Sequence, residues 1–129
     1  MYNLTGSDEW KERLDSLVNA TDVFFVGDNR DIMQEVACET VELCNNDQQS
    51  FKTYLTRWLA ATTKWAPHLT DYIMPKLRAS SIAAASTCVG GDNGRMCGLK
   101  WTEQGKWDGL QGVGPQMMAM QAALSNIVA

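Results

Sequence analysis

Residues 48–65 read QQSFKTYLTRWLAATTKW, and the fold turns on the period of the large apolar side chains in this stretch. Phe51, Tyr54, Leu55, Trp58, Leu59 and Trp65 fall at i, i+3, i+4, i+7, i+8 and i+14, the spacing of one helix face rather than the alternation of a strand. The spacing predicts an amphipathic helix. Just upstream, Asn45-Asn46-Asp47 offers short polar side chains of the kind that cap a helix start.

Working outward, residues 7–26 begin with a Ser cap and two acids in the first turn, where the helix dipole favours negative charge. Trp10, Leu14, Leu17, Val18, Thr21 and Phe25 follow helical spacing, and Gly27 with Asp28-Asn29 ends the helix in a turn. Residues 28–46 read as irregular, or as a short helix around IMQEVACETVELC. Pro67 opens a further helical segment, and Pro75 fits the first turn of the next helix, running to about Thr87. Within it, SSIAAAS supplies small side chains for close helix approach. Pro115 again fits a helix start, with Val113, Met117, Met120, Leu124 and Ile127 on one face that reads as adaptable core packing.

The stretch at 88–114, CVGGDNGRMCGLKWTEQGKWDGLQGVG, holds every glycine of the chain except Gly6 and Gly27. Glycine loses the most conformational entropy on ordering, so such a cluster marks either a flexible linker or a loop of demanding backbone angles. Trp101, Trp107 and two cysteines favour the loop. LKWT and KWDG, separated by Glu103-Gln104-Gly105, leave room for one small β-hairpin with Gly105 in the left-handed position. The fold class is therefore all-α, with four or five helices.

At 129 residues the chain is expected to be a single domain with a modest core. Hydrophobic residues make up 45% and charged ones 20%, which are globular values. A net charge of -4 disfavours nucleic acid and anionic membranes, both of which are held by Lys and Arg. No apolar run approaches the roughly 18 residues of a membrane span, and MYNLTGSDEW lacks the regions of a signal peptide. Any export signal is expected outside these residues.

Cys38, Cys44, Cys88 and Cys97 allow three pairings, of which Cys38 with Cys44 and Cys88 with Cys97 is the simplest. A zinc site is the rival, but there is no C-x-x-C and the only histidine is His68. Disulfides imply an oxidising compartment. The sequons at Asn3 and Asn19 point the same way, although two are close to what this composition gives by chance.

Chemistry is harder to find. Asp8 and Glu9 are adjacent but read as a helix N-terminus complementing its dipole. His68 has no evident nucleophile partner and reads as a surface residue in a first helical turn. No phosphate-loop pattern, metal set or cofactor motif is present. Trp101, Trp107 and Asp108 are more suggestive, because an indole face packs on sugar C–H groups while a carboxylate accepts from hydroxyls. The plainer alternative is that both indoles anchor the loop. Lys52 reads first as a solvated flank of its helix.

Taken in order, CE and CNNDQQSFKTYLTRWLA at 38–60, AP at 66–67, AAASTCVGG at 83–91, CGLKW at 97–101 and WDGLQGVGPQM at 107–117 resemble the C-terminal part of fungal glycoside hydrolase family 76 proteins. That family includes endo-1,6-α-mannanases and related cell-wall proteins. The resemblance implies an (α/α) toroid of six hairpins, secreted and often attached through a GPI anchor, acting on α-1,6-linked mannan or GPI-core glycan without a cofactor. It also implies that residues 1–129 are one incomplete domain, the C-terminal segment of the toroid, whose missing N-terminal part is a partner. The family's adjacent Asp-Asp catalytic pair has no counterpart here, since the sequence contains no Asp-Asp.

Carried over residue by residue, the resemblance nominates Phe51 and Lys52 as cleft-lining, and Trp107 and Asp108, with Trp101 beside them, as glycan contacts. Arg57 is expected in a structural ion pair with Glu39 or Glu42. The expected location is extracellular, at the cell wall or the outer face of the plasma membrane, with membrane contact only through a lipid anchor outside the chain. The competing readings are a non-catalytic glycan-binding module and a helical structural piece without ligand.

Overall fold

The computed structural model describes residues 1–28 and 30–128, so the Asn29 part of the expected turn lies outside the described residues. Five α-helices occur among them: α1 (Tyr2–Thr5), α2 (Asp8–Ala20), α3 (Phe51–Trp65), α4 (Thr70–Ser86) and α5 (Val113–Val128). α3, α4 and α5 pack on one another, and two-residue strands β1 (Phe25–Val26) and β2 (Ile32–Met33) form an antiparallel pair against α4. No described helix is long and apolar enough to cross a membrane.

Helix α2 stops at Ala20, six residues before the end expected from spacing. Thr21 Oγ1 turns back to the Val18 carbonyl at 2.7 Å, a 3-10 turn follows over Thr21–Phe24, and the β-branched and aromatic residues that remain enter β1. Phe25 thus packs from a strand, paired with Met33. Helix α2 is tied to the 3-10 turn Pro67–Leu69, just before α4, by Asp15, which accepts from Lys11 Nζ at 2.6 Å and meets His68 Nε2 at 2.7 Å.

Those hydrogen bonds, from Lys11 first and then His68, hold the Asp15 carboxyl below the usual carboxylate range. A depressed folded-state value means stability is present above the unfolded value near 4 and is lost as pH falls through the folded one. Asp15→Asn is therefore expected to flatten the acid side of the stability profile. Urea midpoints of both proteins between pH 6 and pH 3 check this.

The capping expectation before α3 takes a definite form. Asn45 Oδ1 accepts the Gln48 amide and Gln48 Oε1 accepts the Asn45 amide, each at 2.9 Å, a reciprocal box that starts the 3-10 turn leading into α3. Pro75 does not open a helix but lies inside α4, contrary to the sequence expectation. It sits on the exposed face near the helix start, where water reaches the carbonyl left without its amide partner.

The faces of α3 and α5 differ from the pattern expected of a core helix. α3 buries Lys52, Thr53, Thr56, Leu59, Ala60 and Thr63, while Phe51, Tyr54, Trp58 and Trp65 are exposed. α5 buries Met118, Gln121, Ala122 and Ser125 and exposes Val113, Met120, Leu124 and Ile127, so the Met-rich face read as core packing lies outside. Small side chains bring the helices close: Ala83, Ala84 and Ser80 of α4 join Ala60 and Ala122 in the interior. Arg57 reaches across to Gln121 Oε1 at 2.9 Å, not to Glu39 or Glu42, which have lysine partners.

Candidate functional site

The hairpin expected from LKWT and KWDG does not form; residues 98–112 are turns and bends. Asp108 explains why. Its Oδ2 accepts the backbone amides of Leu99 at 2.6 Å and Lys100 at 3.0 Å, and its Oδ1 accepts the Leu110 amide at 3.1 Å. The amides that a β-ladder needs are bound by the carboxylate instead. Gly98 makes room for it, since a Cβ there would come within 3.3 Å of the Asp108 carboxyl carbon.

Lys52 holds the same segment from the opposite side. From the first turn of α3 its Nζ donates to the Leu99 carbonyl at 2.5 Å and to Glu39 Oε1 at 2.6 Å, and lies 4.0 Å from the centroid of the Trp101 ring. Residues 98–101 are thus gripped at amides by Asp108 and at a carbonyl by Lys52. Lys52 is buried, not a solvated flank, and Trp101 is fully buried beneath it.

Burial pushes the Lys52 ammonium down from the ordinary lysine value against the pull of Glu39, and pushes the Glu39 carboxyl up against the pull of Lys52. Glu39 Oε1 also accepts the Glu35 amide at 2.9 Å, whereas Oε2 has no partner among the described residues. Cys38, adjacent to Glu39, is bridged to Cys44, so the short 3-10 turn Glu39–Val41 lies within a closed loop. Glu42 then pairs with Lys100, whose hydrogen bond holds the Glu42 carboxyl below its usual range.

The second bridge, Cys88–Cys97, closes the glycine-rich part of the loop, where Gly90 and Met96 exchange backbone hydrogen bonds at 2.9 Å. Gly90 is required by contact: a Cβ built there would fall within the Trp107 ring. That ring is half-buried and oriented by its Nε1, which donates to the Leu110 carbonyl at 3.1 Å. Trp107 is the indole of the pair that keeps a surface.

The five nominated residues therefore meet around one segment but differ in what they offer. Lys52 and Asp108 spend their charged atoms on backbone, Trp101 has no surface, and Phe51 and Trp107 remain accessible. Two cavities back onto the Lys52–Glu39 pair. One, of about 350 Å³, is aromatic, lined by Phe24, Phe51, Tyr54 and Trp58 with Glu35 and Lys52. The other, of about 230 Å³, is polar, lined by Glu39, Glu42, Lys100 and Asp108.

Glu35, Glu39, Tyr54 and Trp58 were not singled out from the sequence as site residues. Glu39 was visible only as a partner in the wrong ion pair, and the CE motif preceding a lysine at the start of α3 was the available signal. Among the described residues no group of three or more His, Cys, Asp or Glu is placed to hold a metal ion. Among the described residues each carboxylate around the polar cavity has a lysine or backbone-amide partner on at least one oxygen, so the arrangement organises a surface.

The family model for glycosyl hydrolase family 76 matches residues 1–129. The chain is 42% identical over 126 residues to Mannan endo-1,6-alpha-mannosidase DCW1 of Candida glabrata and 43% identical over 126 residues to that of Saccharomyces cerevisiae. Each match covers 98% of this chain and 27% of the relative, so the chain spans about a quarter of their length. The crystal structure of Dfg5 from Chaetomium thermophilum, in complex with glucosamine, superposes with a TM-score of 0.89 at 36% identity, covering 98% of this chain and 32% of that one.

Proposed function

The chain belongs to glycosyl hydrolase family 76, and from that premise we propose that it forms the C-terminal part of a fungal α/α-toroid domain that cleaves or transfers α-1,6-linked mannose in cell-wall biogenesis. The observation that carries this reading is the end-to-end match: the family model, relatives called mannan endo-1,6-alpha-mannosidases and the Dfg5 fold all cover essentially the whole chain. The substrate is α-1,6-mannan or the mannose core of a GPI glycan. The glucosamine held by Dfg5 supports a family surface that accepts pyranose units.

Within that domain this chain supplies a glycan-facing wall, not the reacting acids. Asp108 and Lys52 fix residues 98–101, Trp107 is seated on Gly90, and the exposed Phe51 lines the aromatic cavity. These two accessible rings are the proposed sugar contacts, with Lys52, Trp101 and Asp108 acting through the loop that they hold. No Asp-Asp occurs in the sequence, and the carboxylates at the site are occupied. The isolated chain is accordingly proposed to be inactive.

Two disulfides and the exposed positions of Asn3 and Asn19 support an extracellular setting, at the cell wall or outer membrane surface. One second reading is favoured by the occupied carboxylates: the chain alone is a glycan-binding piece without catalysis.

Trp107→Ala is expected to weaken binding of α-1,6-mannan oligosaccharides to the chain about tenfold, equivalent to about 1.4 kcal/mol. Titration calorimetry of both proteins measures it. Unchanged affinity would remove Trp107 from the glycan surface, and no binding by either protein would remove the binding role itself.

A further inference from the structure

We infer that the aromatic cavity beside the Lys52–Glu39 pair is a binding site for an alkylammonium group, with Glu35 as its counter-ion and Phe24, Phe51, Tyr54 and Trp58 as its walls. This ligand class goes beyond mannan recognition and does not rest on it.

Two elements build the cavity. Phe51, Tyr54, Leu55 and Trp58 come from α3 at i, i+3, i+4 and i+7, which places them on one helix face. Phe24 and Glu35 flank the β1–β2 pair, which the Gln34 amide extends by donating to the Phe24 carbonyl at 2.8 Å. The Tyr54 and Trp58 rings have centroids 6.0 Å apart and planes tilted by 35°. A volume of about 350 Å³ leaves room for a small cationic head on a short aliphatic arm.

Glu35 supplies the charge. It is 8% exposed, its amide is fixed on Glu39 Oε1 at 2.9 Å, and its own Oε1 accepts the Ala37 amide at 3.2 Å. Among the described residues no lysine, arginine or histidine forms an ion pair with it. Lys52 also lines the cavity, but its Nζ is spent on Glu39, the Leu99 carbonyl and the face of Trp101. Lys52 and Glu39 cancel, which leaves Glu35 as one uncompensated carboxylate among aromatic rings. A buried carboxylate without a cation is costly, and the negative faces of indole, phenol and phenyl rings attract a cation as well. Both features select the same ligand: organic and positively charged.

Other occupants fit less well. An apolar side chain or acyl group would fill the volume but leave Glu35 desolvated and unpaired. A pyranosyl amine would bring the charge together with several hydroxyls, for which walls that include phenylalanine, Met33 and Leu55 offer few partners. An ammonium on a short alkyl arm meets the carboxylate and the rings without burying an unpaired group.

Choline and its neutral isostere 3,3-dimethylbutan-1-ol differ in charge at nearly constant shape. Each is titrated into the chain, with amide NMR shifts to locate binding. Each is also titrated, by ligand-observed NMR, into a chimera of the Candida glabrata relative in which the chain replaces the segment it matches. Choline is expected to bind at least about tenfold more tightly than the alcohol, with shifts at the lining residues. Glu35→Gln should remove most of that preference and leave the alcohol unchanged. Trp58→Leu, at an exposed position where folding is unaffected, should weaken choline about fivefold. Equal affinity for the two ligands, binding of neither, or tighter binding of glucosamine than of choline would overturn the inference. So would a preference retained in both variants, or a folded chimera that does not bind choline. Affinity for α-1,6-mannan oligosaccharides is measured in the same samples, so its presence or loss bears on the glycan reading alone.

Discussion

Replacing Lys52 with methionine is expected to lower the folding stability of the chain by about 3–5 kcal/mol, a large share of the 5–15 kcal/mol typical of a domain. The change removes one partner of a buried pair. Glu39 is left with a desolvated carboxylate whose Oε2 already lacks a partner among the described residues, and the Leu99 carbonyl loses its Lys52 donor. Replacing both ends, as in Glu39→Leu with Lys52→Met, should recover most of the loss, because well-packed apolar residues substitute for a buried pair at little net cost.

The pH dependence carries a sign. Glu39 already sits above its ordinary value because it is buried, and losing Lys52 takes away the charge and hydrogen bond that oppose this. A carboxyl raised in the folded state destabilises as pH climbs from the unfolded value near 4.3 through the folded one, and not below it. The deficit of Lys52→Met should therefore be larger at pH 7 than near pH 4. Urea unfolding of the single and double variants at both pH values measures it; a deficit under about 1 kcal/mol at pH 7 would mean that Lys52 does not hold the loop.

Trp101→Ala should destabilise the chain by a similar amount, about 3–5 kcal/mol, through the cavity left under residues 98–101. The indole has no solvent exposure and carries the Lys52 ammonium on its face. Trp101→Phe separates packing from hydrogen bonding. Since the buried Nε1 has no partner among the described residues, phenylalanine forfeits volume but no bond, and a cost of about 1–2 kcal/mol is expected. If phenylalanine and alanine were equally damaging, the indole N–H would have to be serving a partner such as a bound water.

The helical character of 51–65 was legible because period alone determines it, and the Asn45–Gln48 box was legible as a cap. The face that α3 buries was not. A hydrophobic stripe says that a surface will be covered, without saying by what; here the near neighbours take Thr56, Ala60 and Thr63, and the aromatic stripe is left outward. The same ambiguity inverted the reading of α5. Residues 21–26 looked helical by spacing, yet Thr21–Phe24 tighten into a 3-10 turn and the aromatic and β-branched Phe25 and Val26 pair with β2.

At the site, the resemblance brought Lys52, Trp101, Trp107 and Asp108 to one place, but it could not divide those that touch a ligand from those that hold the loop. That division depends on hydrogen bonds spanning long separations, such as Lys52 to Leu99, for which a one-dimensional pattern has no signature. Asp108 next to Trp107 suggested a sugar contact; three backbone amides on its carboxylate make it the organiser of the turn.

The most direct test is the release of reducing ends from α-1,6-mannan by the chain alone and by a chimera of the Candida glabrata relative in which the chain replaces the segment it matches. No release above background is expected from the chain and clear release from the chimera. Hydrolysis by the isolated 129 residues, or a folded chimera with none, would contradict the proposed function.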